Sequence, residues 1–294
     1  MILKADSLYK SFTNKEVLKG MSFQAESGRA VGLLGRNGAG KTTTIRILLN
    51  IFPADKGTIT LDGRPIDRSS IKIGYLPEER GMYPKKKIMD QLVYFAQLKG
   101  LSHKEAVTRC NKWLERFDMK DIANKRLDAL SKGNQQKIQL ITAVINDPDI
   151  LILDEPFSGL DPVNAMVMEE VVKEQIAAGK IVFFSGHQMN YIEEFCDDIA
   201  ILKDGKIVLA GDLTEIKHNY PRTKLNIRSQ DIERIQAAYG GTIDTHHVLT
   251  ITMADAEEKH SVMQDLTNNY DIDEIKVFEP SLADIFVEYA GEGK

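Results

Sequence analysis

The part of the sequence that most constrains the fold is residues 35–42, GRNGAGKT, which match the phosphate-binding pattern G-x-x-x-x-G-K-S/T at every required position. An apolar run at 30–34 precedes this phosphate loop and predicts a buried strand, and residues 43–50 carry apolar side chains at helical spacing. A glycine-rich loop between a strand and a helix N-terminus can hold a phosphate with its backbone N–H groups. A glycine-rich turn that matches by chance is the alternative, which the strand–loop–helix context disfavours.

Within the phosphate loop, each residue type has an expected role. The glycines let the backbone turn sharply and approach an anion closely. We expect Lys41 to reach the β- and γ-phosphates as a point charge and the Thr42 hydroxyl to ligate Mg²⁺. The residues predicted to bind the phosphates are Gly35, Asn37, Gly38, Ala39, Gly40, Lys41, Thr42 and Thr43.

Composition limits the classes of function. The chain has 294 residues, of which 43% are hydrophobic and 28% charged, so it can bury a core and is not typical of a disordered protein. Because the formal net charge is -5 and the pI is about 5.8, a broad nucleic-acid-binding surface is not favoured and no nucleic acid partner is expected. The two cysteines, Cys110 and Cys196, form no C-x-x-C motif, which is typical of inert thiols in a reducing compartment.

The sequence contains no candidate membrane-spanning stretch. The first residues lack the charged-then-apolar pattern of a signal peptide. No apolar run approaches the ~20 residues that are needed to span a bilayer. Any membrane role is therefore expected to come through a partner.

Apolar strand patterns alternate with helical ones along most of the chain, which favours an α/β fold with a mostly parallel sheet covered on both faces and an antiparallel β edge. Between 88 and about 128 the spacing of apolar residues is helical, and Ser102 with Glu105 predicts a capping box. We therefore expect a helical subdomain over about 78–135.

Pro221 marks a predicted domain boundary. The pattern after it follows the order β-α-β-β-α-β, which resembles a ferredoxin-like module. The predicted domains are 1–217 and a small α+β domain at 222–294. No catalytic motif occurs in the second domain, and dimerisation or regulation stands beside a purely structural role as its function.

Two acidic residues, Asp154 and Glu155, follow the apolar run at 150–153, which has the length of a fully buried parallel strand. Because neighbouring side chains of a strand point to opposite faces, adjacent carboxylates at its end can serve different roles. We expect Asp154 to hold Mg²⁺ and Glu155 to orient and deprotonate an attacking water, a role that contributes ~10²–10⁴ in rate. Two acids that cap the following turn are the alternative, which an upstream phosphate loop disfavours.

Four further features accompany the phosphate loop and the acids in a fixed order. Phe12 precedes the loop, the segment LSKGNQQ at 130–136 precedes the acids, SGLD at 158–161 follows them, and His187 follows the next buried strand. Together these features resemble the ABC-type ATPases, whose signature is usually written L-S-G-G-Q. The resemblance covers roughly residues 1–215.

The resemblance implies the fold of a phosphate-loop NTPase of ABC type, with ATP and Mg²⁺ as ligands. Phe12 would stack on adenine, and His187 would contact the γ-phosphate or the attacking water. The signature residues Ser131 and Gly133 would face the γ-phosphate held by a second subunit, with Asp161 bridging the subunits. One phosphate loop and one signature per chain thus imply a head-to-tail dimer around two ATP, formed by two identical chains or by this chain and a paralogue.

Three positions depart from the family pattern. Glu78 follows Tyr-Leu-Pro where the family commonly has Gln. Its carboxylate would still ligate Mg²⁺ but adds negative charge beside the phosphates, so we expect an effect on the hydrolysis rate more than on ATP binding. Lys132 replaces a signature glycine and would cost about 1 kcal/mol if that backbone needs a positive φ. Asn134 replaces Gln and keeps a carboxamide.

The expected partner is a separately encoded integral-membrane permease, because in the family the helical insert and the loop at position 78 form the groove that receives a helix from the membrane subunit. The chain would then lie in the cytoplasm, peripheral on the inner face of the cell membrane. The variant signature resembles the sodium-extrusion and multidrug-export type, which implies export.

Two other functions are compatible with a phosphate loop. A soluble ABC-type ATPase acting on ribosomes or DNA is the main alternative, although such translation factors usually carry two ATPase domains and such repair proteins a long coiled coil, and neither is evident. A phosphate-loop kinase would leave Ser131 and His187 without a role.

Overall fold

The computed structural model describes residues 1–13, 15–67, 69–79, 81–186 and 188–291. The chain divides into two compact units, one formed by Met1–Leu213 with the segment from Phe286 onward, the other by Thr214–Ile285. The boundary predicted at 217–222 falls near the first of these limits. That the two predicted domains fold separately stays a prediction.

Strands and helices alternate along most of the first unit. Helix α7 begins at Leu213, the residue at which the segment Met1–Leu213 ends. In chain order the elements are β1 (Ile2–Phe12), β2 (Lys15–Glu26), β3 (Ala30–Gly35), α1 (Lys41–Leu48), β4 (Lys56–Leu61), β5 (Arg64–Pro65), β6 (Ile73–Leu76), α2 (Ile88–Leu98), α3 (His103–Arg116), α4 (Lys132–Val144), β7 (Ile150–Asp154), α5 (Pro162–Ala177), β8 (Ile181–Ser185), α6 (Met189–Phe195), β9 (Asp198–Lys203), β10 (Lys206–Asp212) and α7 (Leu213–His218).

A six-stranded sheet in the order β10-β9-β3-β8-β7-β6 forms the centre of this unit. Its strands pair in parallel except for β10, which runs antiparallel to β9 at the edge. Every residue of β3, β7 and β8 is buried, as expected for strands covered on both faces. The predicted mostly parallel α/β sheet is confirmed.

A second, antiparallel sheet in the order β2-β1-β4-β5 packs on the first through a shared apolar core. Leu3 and Leu8 from β1 join Val31 from β3 and Phe183 from β8 in that core. The turn between β4 and β5 is formed by Asp62 and Gly63, whose φ angles of 50° and 75° are left-handed, as in a two-residue hairpin.

The helical segment between β6 and β7 begins with α2 and α3, and α3 has the predicted capping box. Ser102 Oγ accepts a hydrogen bond from the Glu105 N–H at 3.4 Å, and Glu105 Oε2 accepts one from the Ser102 N–H at 3.2 Å. Both cysteines are free and buried. Burial raises the pKa of the Cys110 thiol to about 12 and that of Cys196 well above its usual value, so both are protonated at neutral pH.

The second unit contains β11 (Lys224–Ser229), α8 (Ile232–Tyr239), β12 (Thr242–Ile243), β13 (Leu249–Thr252), α9 (Lys259–Asn269), β14 (Ile272–Val277) and the start of α10 (Leu282–Ala290). Its antiparallel sheet has the order β12-β13-β11-β14. Side chains such as Leu225, Ile235 and Leu266 form a core of its own. The predicted β-α-β-β-α-β order is confirmed.

Across the described ranges, the helices are too short or too polar for any of them to cross a lipid bilayer.

Candidate functional site

The phosphate loop connects β3 to α1, and its backbone turns at two glycines. Gly38 and Gly40 have φ angles of 83° and 117°, which residues with side chains rarely adopt. A β-carbon on Gly40 would also stand 2.7 Å from Leu18 Cδ2. Because Gly40 precedes α1 without a side-chain cap, the first N–H groups of this helix are directed toward a site for an anion.

The Lys41 ammonium lies across the phosphate loop. Its Nζ donates to the Gly35 carbonyl at 2.5 Å and to the Arg36 carbonyl at 3.4 Å. Burial lowers the pKa of Lys41, whereas the charges of three carboxylates raise it; these are Glu155, Asp154 and Glu78. The predicted cation and the predicted acids therefore lie close enough to interact.

One cavity of about 440 Å³, the loop cavity, joins the phosphate loop to these acids. It is lined by Val17, Asn37, Gly38, Gly40, Lys41, Thr42, Thr43, Glu78, Asp154 and Glu155. The structure thus brings together residues that are far apart in sequence. Gly35 and Ala39, also predicted to bind phosphate, line a larger neighbouring cavity of about 1320 Å³ that shares Asn37 and Gly38 with the first.

The donor atoms of the loop cavity fit Mg²⁺. Thr42, Glu78 and Asp154 offer a hydroxyl and two carboxylates, the hard oxygen ligands that Mg²⁺ prefers. Among the residues that the structure describes, no group of three or more His, Cys, Asp or Glu side chains could hold a metal ion. A magnesium ion here would therefore take further ligands from phosphate oxygens, as is usual for Mg²⁺ that binds with a nucleotide.

Asp154 ends β7 and is only 7% exposed. Its Oδ1 accepts a hydrogen bond from Ser185 Oγ on the neighbouring strand β8. Tyr75 lies on β6, the other neighbour of β7, and its side chain is near enough for the charge of Asp154 to act on it. Burial raises the pKa of Tyr75 to about 12, and the negative charge of Asp154 adds to this rise.

Glu155 follows Asp154 with a left-handed backbone. Its φ is 51°, a conformation that costs a residue with a side chain about 1–2 kcal/mol. Its N–H donates to the Ser185 carbonyl at 2.9 Å, and its carboxylate lies beside the α-carbon of Gly186. The direction of the Glu155 side chain is therefore set by this turn.

The signature residues lie on a separate surface, formed by the N-termini of α4 and α5. Ser131 caps α4, with Oγ accepting from the Asn134 N–H at 3.3 Å. Asp161 caps α5, with Oδ1 accepting from the Asn164 N–H at 3.0 Å, a bond that lowers the Asp161 pKa. A β-carbon on Gly133 would stand 2.7 Å from Asn164 Nδ2, so the two caps adjoin. We call Ser131, Gly133 and Asp161 the signature surface; none of the three lines the loop cavity.

Lys132 is the first residue of α4. The strain considered for a positive φ at this position does not arise, because the right-handed helix already includes this residue.

Phe12 does not line the loop cavity. Phe12 ends β1 with 43% of its surface exposed, and its ring meets Phe52 edge-on with centroids 5.3 Å apart. Lys15, which pairs with Phe12 across the hairpin, lines the larger cavity. His187 lies outside the described residues.

The sequence interpretation missed Tyr75, Ser185 and Gly186. Tyr75 and Ser185 stand at the carboxyl-end half of β6 and at the end of β8, the strands on either side of β7. A polar residue near the end of a strand that pairs with β7 is the signal that could have identified both.

Comparisons with known proteins agree with this geometry. Residues 18–158 match the family model described as "ABC transporter", and residues 211–290 match the model of the "ATP-binding protein DrrA1-3-like, C-terminal domain". The chain is 42% identical to the uncharacterized ABC transporter ATP-binding protein YhaQ of Bacillus subtilis (strain 168) over 294 residues. This similarity covers 99% of each protein.

Two further similarities extend this result. The chain is 34% identical over 213 residues to the Nod factor export ATP-binding protein I of Paraburkholderia xenovorans (strain LB400), covering 71% of this chain and 70% of the relative. A solved structure of an ATP binding subunit of an ABC transporter has a TM-score of 0.68 and 29% identity, covering 75% of this chain and 93% of that one.

Proposed function

This chain belongs to the ABC transporter family of ATP-binding proteins and is an ATPase, and we propose that it hydrolyses ATP in the loop cavity to drive a separate membrane permease. One observation carries the proposal: the phosphate loop, Lys41 and the carboxylates of Glu78, Asp154 and Glu155 share a single cavity. ATP-binding subunits of this family generally dimerise and pair with permeases.

In the proposed reaction, the triphosphate lies along the phosphate loop, with the N–H groups at the start of α1 and the Lys41 ammonium on its oxygens. Thr42, Asp154 and Glu78 would hold a Mg²⁺ ion, which when bound neutralises charge on the β- and γ-phosphates. Glu155 accepts a proton from a water that attacks the γ-phosphorus. The bond between that phosphorus and the β,γ-bridging oxygen breaks, giving ADP and inorganic phosphate.

Two residues complete the proposed site. The exposed ring of Phe12 would stack on the adenine, with the larger cavity at Lys15 providing room beside it. His187 follows β8, the strand whose last residue bonds to Asp154, and would contact the γ-phosphate. Both roles come from the family resemblance and are part of the proposal.

A second subunit is proposed because the signature surface does not line the loop cavity of its own chain. Helix N-termini with free N–H groups suit an anion, and the signature surface has two of them side by side. In a two-fold dimer, each signature surface would face the triphosphate in the loop cavity of the other chain. A homodimer is the simplest arrangement, and a paralogue could take the place of one chain.

The proposed permease would dock on the helical segment after β6. Tyr83, Tyr94 and Leu98 expose 54%, 49% and 65% of their surface there, and the Tyr83 and Phe95 rings stack with centroids 6.4 Å apart. An apolar, aromatic surface of this kind suits a helix from a partner. The chain would then act at the inner face of the cell membrane, and export is proposed because a relative is named for Nod factor export.

The proposed roles are tested by Glu155→Gln. We expect ATP hydrolysis to fall by roughly 10²-fold or more, while ATP binding and ATP-dependent dimerisation persist. Glu233→Gln, on α8 of the second unit, is the matched control and should hydrolyse ATP at the wild-type rate. Unchanged hydrolysis in Glu155→Gln would exclude Glu155 as the base.

The proposed partner is tested by affinity purification from detergent-solubilised membranes. We expect a protein with several membrane spans to be recovered with the chain, and Tyr83→Asp to reduce its recovery. Recovery of ribosomal or DNA-bound proteins without such a membrane protein would favour the alternative function.

A further inference from the structure

The strand that ends at Asp154 has a serine on one neighbouring strand and a tyrosine on the other, both near this carboxylate. Asp154 is the last residue of β7, and β7 lies between β8 and β6 in the central sheet. Ser185 on β8 donates from Oγ to Asp154 Oδ1, and Tyr75 on β6 lies within reach of the charge of the same carboxylate. We propose that Tyr75 and Ser185 are positioning residues, which orient Asp154 for the magnesium ion that binds with ATP; this inference rests on the proposed function.

Strand register places these residues side by side. Asp154 pairs with Ser185 across β7 and β8, and Tyr75 pairs with Ile152 across β6 and β7. Asp154 and Ser185 are therefore direct neighbours, and Tyr75 stands level with Ile152, on the same face as Asp154 because side chains two residues apart on a strand share a face. All three residues lie toward the carboxyl end of adjacent parallel strands, which is where ligands bind in open α/β sheets.

Burial makes the hydrogen bond between Ser185 and Asp154 effective. Asp154 is 7% exposed and Ser185 is 1% exposed, so little water competes for their hydrogen bond. An ionised carboxylate has about four acceptor positions. The Ser185 hydroxyl takes one of these positions and the Tyr75 hydroxyl would take a second, which leaves the others for the loop cavity that Asp154 also lines.

Tyr75 also lies near the helix that follows the phosphate loop. Arg46 on α1 is close enough for its positive charge to act on the Tyr75 hydroxyl, and α1 is the helix that starts at Lys41. Partners that orient a metal ligand in this way typically contribute 10–100-fold to metal affinity. The direct prediction is a change in metal affinity rather than in nucleotide affinity.

The experiment compares Tyr75→Phe and Ser185→Ala with Tyr239→Phe. Tyr239 is a matched control because its hydroxyl also bonds to a carboxylate, that of Asp265, in the second unit. With Mn²⁺ as the probe and ADP present, electron paramagnetic resonance measures the Kd of Mn²⁺. We expect this Kd to rise roughly 10-fold in Tyr75→Phe and Ser185→Ala and to stay at the wild-type value in Tyr239→Phe.

Two further measurements separate positioning from structure. Binding of ADP in EDTA should be unchanged in every variant. In a Mg²⁺ titration of ATP hydrolysis, Tyr75→Phe should need roughly 10-fold more Mg²⁺ for half-maximal rate yet recover most of kcat at saturation, whereas Glu155→Gln should stay slow at all Mg²⁺ concentrations.

The outcomes are distinguishable. If the wild type binds Mn²⁺ and both Tyr75→Phe and Ser185→Ala bind it with the same affinity, this inference is overturned and the proposed function is not. Absence of Mn²⁺ binding with ADP in the wild type would overturn the proposed function and this inference with it. If Ser185→Ala fails to fold, Tyr75→Phe decides, because it removes one oxygen from a half-buried ring.

Discussion

The Glu155 carboxylate lies against the bare α-carbon of Gly186. A β-carbon built on Gly186 would stand 3.3 Å from Glu155 Oε2 and 3.4 Å from Cδ, closer than most real contacts of a methyl group. The position of the proposed base therefore depends on the absence of a side chain at Gly186, the residue that follows β8. The same glycine precedes His187.

Gly186→Ala should lower kcat for ATP hydrolysis by roughly 10-fold, because a few tenths of an ångström of displacement at a general base is costly. Steady-state hydrolysis at saturating Mg·ATP measures this effect. Affinity for ATP should be nearly unchanged, since Gly186 does not line the loop cavity. Gly81→Ala is the control, because a β-carbon on Gly81 meets nothing within 4 Å; an equal loss of kcat in both variants would contradict the prediction.

Glu155→Asn should be more stable than Glu155→Gln by about 0.5–1 kcal/mol, because Asn tolerates the left-handed backbone better than Gln does. Both substitutions remove the same charge, so the difference between their free energies of unfolding reports the cost of the left-handed backbone at residue 155, where φ is 51°. Urea unfolding of the two variants measures it. Equal unfolding free energies would show that the turn after β7 imposes no strain.

This left-handed turn marks a limit of what the sequence predicts. The positions of Asp154 and Glu155 were predictable, since an apolar run located the end of a buried strand. Strand alternation predicts different directions for these two side chains. In the structure, however, β7 ends at Asp154, and Glu155 already belongs to the turn that follows. A positive φ at a glutamate has no signal in the sequence, because glycine, asparagine and aspartate are the residues that adopt it most readily.

The order of the strands in the central sheet is a second feature that the sequence does not predict. The phosphate loop was predictable because its strand, loop and helix are contiguous in sequence. Tyr75 and Ser185 were not, because their contacts with Asp154 depend on β6 and β8 flanking β7, and a helical segment separates β6 from β7 along the chain. Helix caps are local, so the one at Ser102 was predicted correctly.

Gly133→Ala should weaken ATP-dependent dimerisation by roughly 10-fold while changing stability by less than about 1 kcal/mol. The new methyl would stand 2.7 Å from Asn164 Nδ2, so the Asn164 side chain has to move within the signature surface. A gain in helix propensity of about 1 kcal/mol offsets part of the clash. Analytical ultracentrifugation of the variant in a Glu155→Gln background measures the association.

The double variant Gly133→Ala with Asn164→Ala tests whether this clash is the cause. Removing the Asn164 amide gives the methyl room, so most of the dimerisation should return. Asn164→Ala alone should dimerise nearly as the wild type does. A double variant as weak as Gly133→Ala would mean that Gly133 acts through the partner chain directly.

The stability of the chain should rise with pH between about 8 and 10.5 through Lys99. Its Nζ donates to the Thr142 carbonyl at 2.5 Å, and burial lowers its pKa from 10.5 to about 8. Below pH 8 the lysine is protonated in both states, so folding buries a charge. Between the two pKa values the unfolded chain binds more protons than the folded one, and stability therefore increases with pH. At 1.36 kcal/mol per pKa unit, the gain is at most about 3 kcal/mol, and less where water reaches the ammonium.

Urea unfolding of the wild type and of Lys99→Met at pH 7.5, 9 and 10.5 measures this gain in stability. The free energy of the wild type should rise relative to that of Lys99→Met, and parallel pH profiles would show that the Lys99 ammonium keeps its ordinary pKa in the fold.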